Sequence, residues 1–276
     1  MRSKPYLIPP RPETLITLSS LLKQSEPNLD AVVNVIKADV SLFTVVMSTA
    51  NSPVFSGASK FKTLRQAVMR LGLKRLYTLT ELILLRKSLS KTGRLDRFWD
   101  TAIEVAELAA ELAPKLSKEN PDQAYALGML HDCGVPLMME NFPDYREFLT
   151  QHDGLQHASL SQKEREAFGV DHFSVGAEIA ESWKMPNDIC DAIRLQVYYP
   201  TSLLTSADQI GESSKMLFCL VLLAKNISER YRRYWRIDSS RIENYELKHA
   251  LEYLGLPDVD YLDIRDGYLD QLEQKY

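Results

Sequence analysis

The sequence predicts an all-α protein, a multi-helix bundle, and three observations predict it. Apolar residues recur with a helical period along nearly the whole chain. Helix start and stop signals fall where that period begins and ends. No stretch alternates with the period of two that a half-buried strand needs, and no hairpin signal joins two such stretches.

In chain order, a basic, proline-rich opening (Met1 to Arg11) precedes Leu29, Val32, Val33 and Ile36, which stand at i, i+3, i+4, i+7 on one helical face. Asn28 and Asp39 have the short polar side chains that accept hydrogen bonds from the free N–H groups of a helix start. Thr63-Leu64-Arg65-Gln66 reads as a capping box, and Leu64, Ala67, Val68 and Leu71 continue its helix until Gly72 closes it. The same spacing returns in Phe173, Gly176, Ala177 and Ala180, and in Leu217, Leu220, Val221 and Ala224. It returns last in Leu247, Ala250, Leu251 and Leu254, ended by Gly255 and Pro257. A polar stretch from Ser88 to Asp96 suggests a boundary, and Gln151 to Gly169 and Tyr198 to Gly211 read as irregular loops. The expected organisation is a helical N-terminal lobe (1–95), a helical core (96–236) and a C-terminal helical extension (237–276).

The chain has 276 residues, 45% hydrophobic and 25% charged, enough to bury a core without covalent staples. Its net charge of -4 argues against nucleic acid or an anionic membrane as a partner of the whole surface. Three cysteines, Cys133, Cys190 and Cys219, match no zinc spacing and no disulfide framework. The opening lacks a secretory signal, and the longest apolar run, near Leu217 to Ala224, is too short to cross a bilayer. A reducing, cytoplasmic setting with no membrane contact is therefore expected. No phosphate loop, dinucleotide fingerprint or serine nucleophile elbow occurs, and Cys133 reads as a packing residue.

Charge is unevenly spread. From Lys60 to Arg97 eleven Lys or Arg face only Glu81 and Asp96. Arg65, Arg70, Lys74 and Arg75 are the candidates for an anion- or partner-binding surface; the alternative is a solvated helix face whose long side chains cover apolar surface. A second cluster interleaves Arg230, Arg232, Arg233 and Arg236 with Tyr231, Tyr234 and Trp235.

Several local patterns fall in a specific order. Ile8-Pro9-Pro10-Arg11-Pro12-Glu13-Thr14-Leu15 leads into the first helix, Thr49-Ala50-Asn51-Ser52 ends a helix, and the run from Thr63 to Leu76 makes a helix pair. Phe98-Trp99 opens another helix, His131-Asp132-Cys133-Gly134 holds a His-Asp doublet, and Gly169-Val170-Asp171-His172 precedes Val175-Gly176-Ala177 and Trp183. Over roughly residues 7 to 197 this resembles the HDOD family, a divergent bacterial branch of the HD metal-dependent phosphohydrolase superfamily. The resemblance implies an all-α fold with the N-terminal lobe packed on an HD-like core.

Active HD enzymes gather histidines and aspartates from separate helices around one or two metal ions, which polarise a phosphoryl oxygen and supply hydroxide. Matched to that pattern, this chain keeps His131, Asp132 and His172 and departs elsewhere. Thr101 stands at the first histidine, Gln196 and Val197 at a histidine pair, and Lys225 at the closing aspartate, with Asp208 as a conceivable replacement. The resemblance thus implies a vestigial or weak metal site at His131, Asp132 and His172. It implies no resident cofactor beyond a divalent metal at low occupancy. The expected function is a stand-alone signalling or regulatory module acting through signalling proteins, with a nucleotide second messenger as a candidate ligand. The alternative is a metal-dependent phosphohydrolase acting on a nucleotide or other phosphoester. Read without the family, Asp132 pins its turn by hydrogen bonds, His131 donates to a helix carbonyl, and His172 is a half-buried helix-start residue bonded locally. His152 and His157 read as solvated loop residues, and His249 has no evident partner.

Overall fold

The computed structural model describes residues 4–56, 60–90, 95–152, 155, 157–204, 210–236 and 245–273. Every regular element among them is a helix. Asp208 and the whole segment from Ile237 to Asn244 lie outside the described residues, as do Lys91 and Arg94. The chain divides into two compact units, Pro9–Gly93 and Arg94–Tyr276 together with Met1–Ile8.

The smaller unit holds α1 (Glu13–Leu22), α2 (Leu29–Lys37), α3 (Val40–Ala50), α4 (Pro53–Ser56), α5 (Leu64–Leu71) and α6 (Leu73–Leu89). Its helices start where the sequence supplies acceptors. Asn28 accepts from the Ala31 N–H, Asp39 from the Leu42 N–H, and the Thr63/Gln66 box forms in both directions. Each such cap contributes about 1 kcal/mol. Gly72, at φ +82°, supplies the left-handed residue that lets α5 stop and α6 begin at once. The Asn51 amide clasps the loop beyond α4, donating to the Phe61 carbonyl at 3.1 Å and accepting from the Phe61 N–H at 2.6 Å. One ion pair is buried here: Arg11 reaches Glu81 at 3.2 Å, and Tyr77 donates to the same carboxylate. Burial pushes the Glu81 carboxyl up to about 7, with Arg11 and Tyr77 offsetting only part of that effect.

The larger unit begins with α7 (Asp96–Leu116), α8 (Pro121–Leu130), α9 (Gly134–Asn141) and α10 (Tyr145–Gln151). It continues with α11 (His157–Phe168), α12 (His172–Ser182), α13 (Asn187–Tyr198) and α14 (Thr201–Leu204). The last elements are α15 (Glu212–Ile227), α16 (Glu229–Tyr234), α17 (Tyr245–Leu254) and α18 (Asp258–Glu273). The apolar run Leu217 to Ala224 is buried throughout, which makes α15 the centre of this unit; α7, α8, α13 and α17 pack around it. Among the described residues no single helix is long and apolar enough to cross a membrane.

Two glycines set the approach of the helices that carry the site. A Cβ on Gly128 would stand 2.4 Å from the Ala106 Cα, so α8 lies directly on the backbone of α7. A Cβ on Gly134 would stand 1.9 Å from the His172 carbonyl oxygen, so the start of α9 lies against the start of α12. Only glycine allows contacts this close.

The expectation of an irregular region from Gln151 to Gly169 is corrected: residues 157–168 form α11. Its buried positions include Ser161 and Glu164 rather than apolar residues, so the hydrophobic period that reveals a helix is weak there. The region from Tyr198 to Gly211 likewise contains a short helix, α14.

Candidate functional site

The centre of the larger unit holds a buried cluster of polar side chains. His131 and Asp132 lie in the turn between α8 and α9, and each is at most 3% exposed. His172 opens α12, whose N-cap Asp171 accepts from the Ser174 N–H at 2.9 Å. Lys225 projects from α15 and is 5% exposed. The structure brings these four together. His131 Nε2 is 3.1 Å from Asp132 Oδ2, Lys225 Nζ is 3.9 Å from Asp132 Oδ1, and His172 Nε2 is 4.0 Å from that same oxygen.

Neighbouring elements fix each group. His131 Nδ1 lies 2.6 Å from the Gly128 carbonyl, which can only accept, so this nitrogen carries hydrogen and Nε2 faces Asp132. Gln196, on α13, donates to the His131 carbonyl at 2.7 Å and turns its own oxygen to Lys225 at 3.4 Å. The ammonium of Lys225 donates to His157 Nε2 at 2.7 Å and lies over the ring of Tyr231 at 4.8 Å. The Tyr231 hydroxyl reaches Asp132 Oδ2 at 3.4 Å. Beyond His172, the wholly buried Glu164 accepts from the His172 backbone N–H at 3.0 Å, from its Nδ1 at 2.7 Å and from the Tyr145 hydroxyl at 2.5 Å.

Electrostatics follow from this packing. Burial alone would push the Asp132 carboxyl up, but His131 and Lys225 beside it hold it well below the usual carboxylate range. Burial alone would lower His172, and the Glu164 and Asp132 carboxylates outweigh that and raise it. Cys133 is a buried thiol 3.6 Å from the Gly176 carbonyl, and burial raises it far out of the reactive range.

These residues do not fit a divalent metal ion. An ion on Asp132 Oδ1 would stand close to the Lys225 ammonium, and a double against a single charge at about 4 Å repels by about 8 kcal/mol at an effective dielectric constant near 20. Among the described residues no three His, Cys, Asp or Glu side chains are arranged to hold a metal. The Thr101 hydroxyl bonds to the Arg97 carbonyl of its own helix.

Several readings of single residues need correction. His172 is buried, not half-buried, and its partner lies on α11 rather than in its own turn. His157 is not a solvated loop residue: it begins α11 and accepts from Lys225. His152 is half-buried, with Nδ1 2.9 Å from the Phe148 carbonyl and its ring stacked on Phe148. His249 has a partner in Glu252, 3.3 Å away one helical turn on. Glu164 and Tyr145 escaped the sequence reading altogether. A buried acidic residue on a helix with few apolar positions leaves no periodic signal, and only its place eight residues before His172 hints at a partner.

The basic candidates lie in the smaller unit. Arg65 pairs with Asp30, and the Arg75 guanidinium lies over the Phe55 ring at 5.7 Å. Arg70 lines a shallow groove of about 540 Å³ with Lys60 and Lys62, and Lys74 is exposed. Arg65, Lys74 and Arg75 are not part of that groove.

Comparison with known proteins agrees with this architecture. An uncharacterized protein of Treponema pallidum (strain Nichols) is 25% identical over 199 residues, which cover 70% of this chain and 38% of that one. The chain thus spans well under half the length of that relative. The crystal structure of a putative phosphohydrolase from Shewanella amazonensis SB2B superposes with a TM-score of 0.67 at 24% identity, covering 95% of this chain and 90% of that one. An HDOD domain protein with unknown function from Geobacter sulfurreducens gives a TM-score of 0.61 at 24% identity, covering 98% and 91%. The family model of the HDOD domain matches residues 8–198, more than half of the sequence, and the chain belongs to the HDOD domain family.

Proposed function

We propose that this HDOD protein is a regulatory module that acts through protein partners in the bacterial cytoplasm, without catalysing a reaction at its His-Asp site. One observation carries the reading. The Lys225 ammonium, hydrogen-bonded to His157 and Gln196, supplies the positive charge that Asp132 needs inside the core. A buried carboxylate requires a counter-charge, and a lysine provides one without an open coordination position for water or phosphate. The cluster is then a structural polar network that joins α8, α13, α15 and α16. A screen of the purified protein against nucleotide monophosphates and phosphodiesters, with added divalent ions, tests it. No turnover above that of an Asp132→Ala variant is expected, and turnover lost in that variant while its fold is kept would refute it.

A second reading, a metal-dependent phosphohydrolase, draws support from the Glu164–His172 pair. A carboxylate on Nδ1 that aims Nε2 inward is the usual support for a metal-ligating histidine. Asp132 Oδ1 and His131 Nε2 also make no hydrogen bond. This reading needs Lys225 to withdraw from Asp132, which would leave its ammonium buried without a countercharge.

A further inference from the structure

A second concentration of charge lies on α16 and goes beyond the reading above; it stands whether or not the buried cluster catalyses anything. Tyr231 anchors this short helix: its backbone N–H donates to Ser228 Oγ at 3.0 Å, its ring is 6% exposed, and its hydroxyl turns to Asp132. With Tyr231 directed inward, Arg230, Arg233 and Tyr234 line a cleft of about 950 Å³, continued by Trp235 and Arg236. Arg97 and Thr101 from α7 and Arg146 from α10 also line it. Five guanidiniums therefore converge on one cleft whose lining holds a single carboxylate, Asp100. Arg230 is shared with Glu104 at 3.2 Å and Arg233 with Glu229. Arg97 and Arg146 are exposed, and neither forms an ion pair with a described residue.

Like charges gathered in a concave site repel one another, and an anion relieves that repulsion. Guanidiniums are the side chains best shaped for phosphate, which they grip through paired N–H donors. The same cleft also offers a ring platform. Tyr234 and Trp235 meet edge to face at 5.2 Å, Tyr234 leans on Phe98 at 6.1 Å, and both are only half-buried. Met139 and Leu149 add apolar lining. Guanidiniums beside accessible aromatic faces suit a ligand that carries both phosphate and a planar ring. The volume falls in the range of small-molecule sites, and the chain's net charge of -4 disfavours a long polyanion.

We propose that this cleft binds a nucleotide carrying two or more phosphate charges, its phosphates held by Arg97, Arg146, Arg230 and Arg233 and its base stacked on Tyr234 and Trp235. Calorimetric titration of the full chain with GTP, ATP, inorganic pyrophosphate and a short single-stranded RNA tests it, in buffer without divalent ions. A nucleotide is expected to bind with a Kd below about 1 mM. The Arg97→Gln/Arg146→Gln pair is expected to weaken it about tenfold or more, with circular dichroism and Tm unchanged because both residues are exposed. Trp235→Leu keeps every charge and is expected to lower nucleotide affinity to that of pyrophosphate. The proposal is overturned by any of four results. These are no nucleotide binding, binding indifferent to the arginine pair, pyrophosphate matching the nucleotide in the native protein, or RNA binding more tightly than either nucleotide.

Discussion

Lys225 and Asp132 show how a buried carboxylate is balanced inside a helical core. The carboxylate stays ionised in the core because an ammonium stands 3.9 Å away and the His131 ring 3.1 Å away. Removing one partner leaves the other charge uncompensated, at a cost of about 3 to 5 kcal/mol. Lys225→Met should therefore lower the unfolding free energy by about 3 kcal/mol, and Asp132→Asn added to it should restore more than half of the loss. Urea denaturation of the two variants measures this; a Lys225→Met protein as stable as the native one would show that the ammonium is no counter-charge. Glu81 makes the opposite case. Its carboxyl rises from the ordinary 4.5 to about 7, so the folded state holds its proton more tightly than the unfolded chain. The stability from this group is complete below 4.5 and is lost as pH climbs through about 7. Glu81→Gln should match the native protein at acid pH and exceed it above neutrality, by at most about 3.5 kcal/mol at 1.36 kcal/mol per unit. A pH series of melting curves checks the crossover, and a constant difference between the two proteins at all pH values would count against it. At this scale the sequence displays His131, Asp132 and His172 through a resemblance carried by their neighbours. It hides Glu164 and His157, because their roles depend on which helices meet and no spacing encodes that.

Elements are placed by small residues as much as by large ones. In α8, Gly128 lies on the Ala106 backbone, while Gly267 in α18 has nothing within 4 Å of where a Cβ would stand. Alanine is favoured over glycine within a helix by about 1 kcal/mol. Gly267→Ala should therefore stabilise by up to that amount, whereas Gly128→Ala should destabilise by about 2 to 3 kcal/mol because the contact is with backbone that cannot yield. Thermal unfolding of the two variants should shift in opposite directions; a shift of the same sign would mean that α7 and α8 are not in contact as described. The helices α2, α5, α12, α15 and α17 are legible from their apolar period, which caps reinforce at the starts of α2 and α5. Two helices lie in stretches that read as loops: the short α14, and α11, whose buried positions are Ser161 and Glu164 and which so lacks an apolar pattern. α16 connects two regions of different chemistry, since Tyr231 reaches Asp132 while Arg230 and Arg233 face the cleft.

The whole chain is acidic, yet its cations gather in two places: along α5 and α6 in one unit, and around α16 in the other. Summed charge therefore says little about either surface, and the convergence of Arg97 and Arg146 on the α16 arginines is invisible until α7, α10 and α16 are placed. The all-α class was legible because helical period, caps and the lack of alternation agree. The site was half legible, because the resemblance points to His131, Asp132 and His172 but not to what these side chains touch. The account rests most heavily on the claim that Lys225 has taken over the charge that a metal ion would bring. Metal analysis of the purified protein, expressed with added manganese, iron or zinc and then dialysed, tests that claim most directly. The account predicts far less than one ion per chain and no change when Asp132 is replaced by asparagine. A full equivalent that survives dialysis and disappears with that replacement would contradict it.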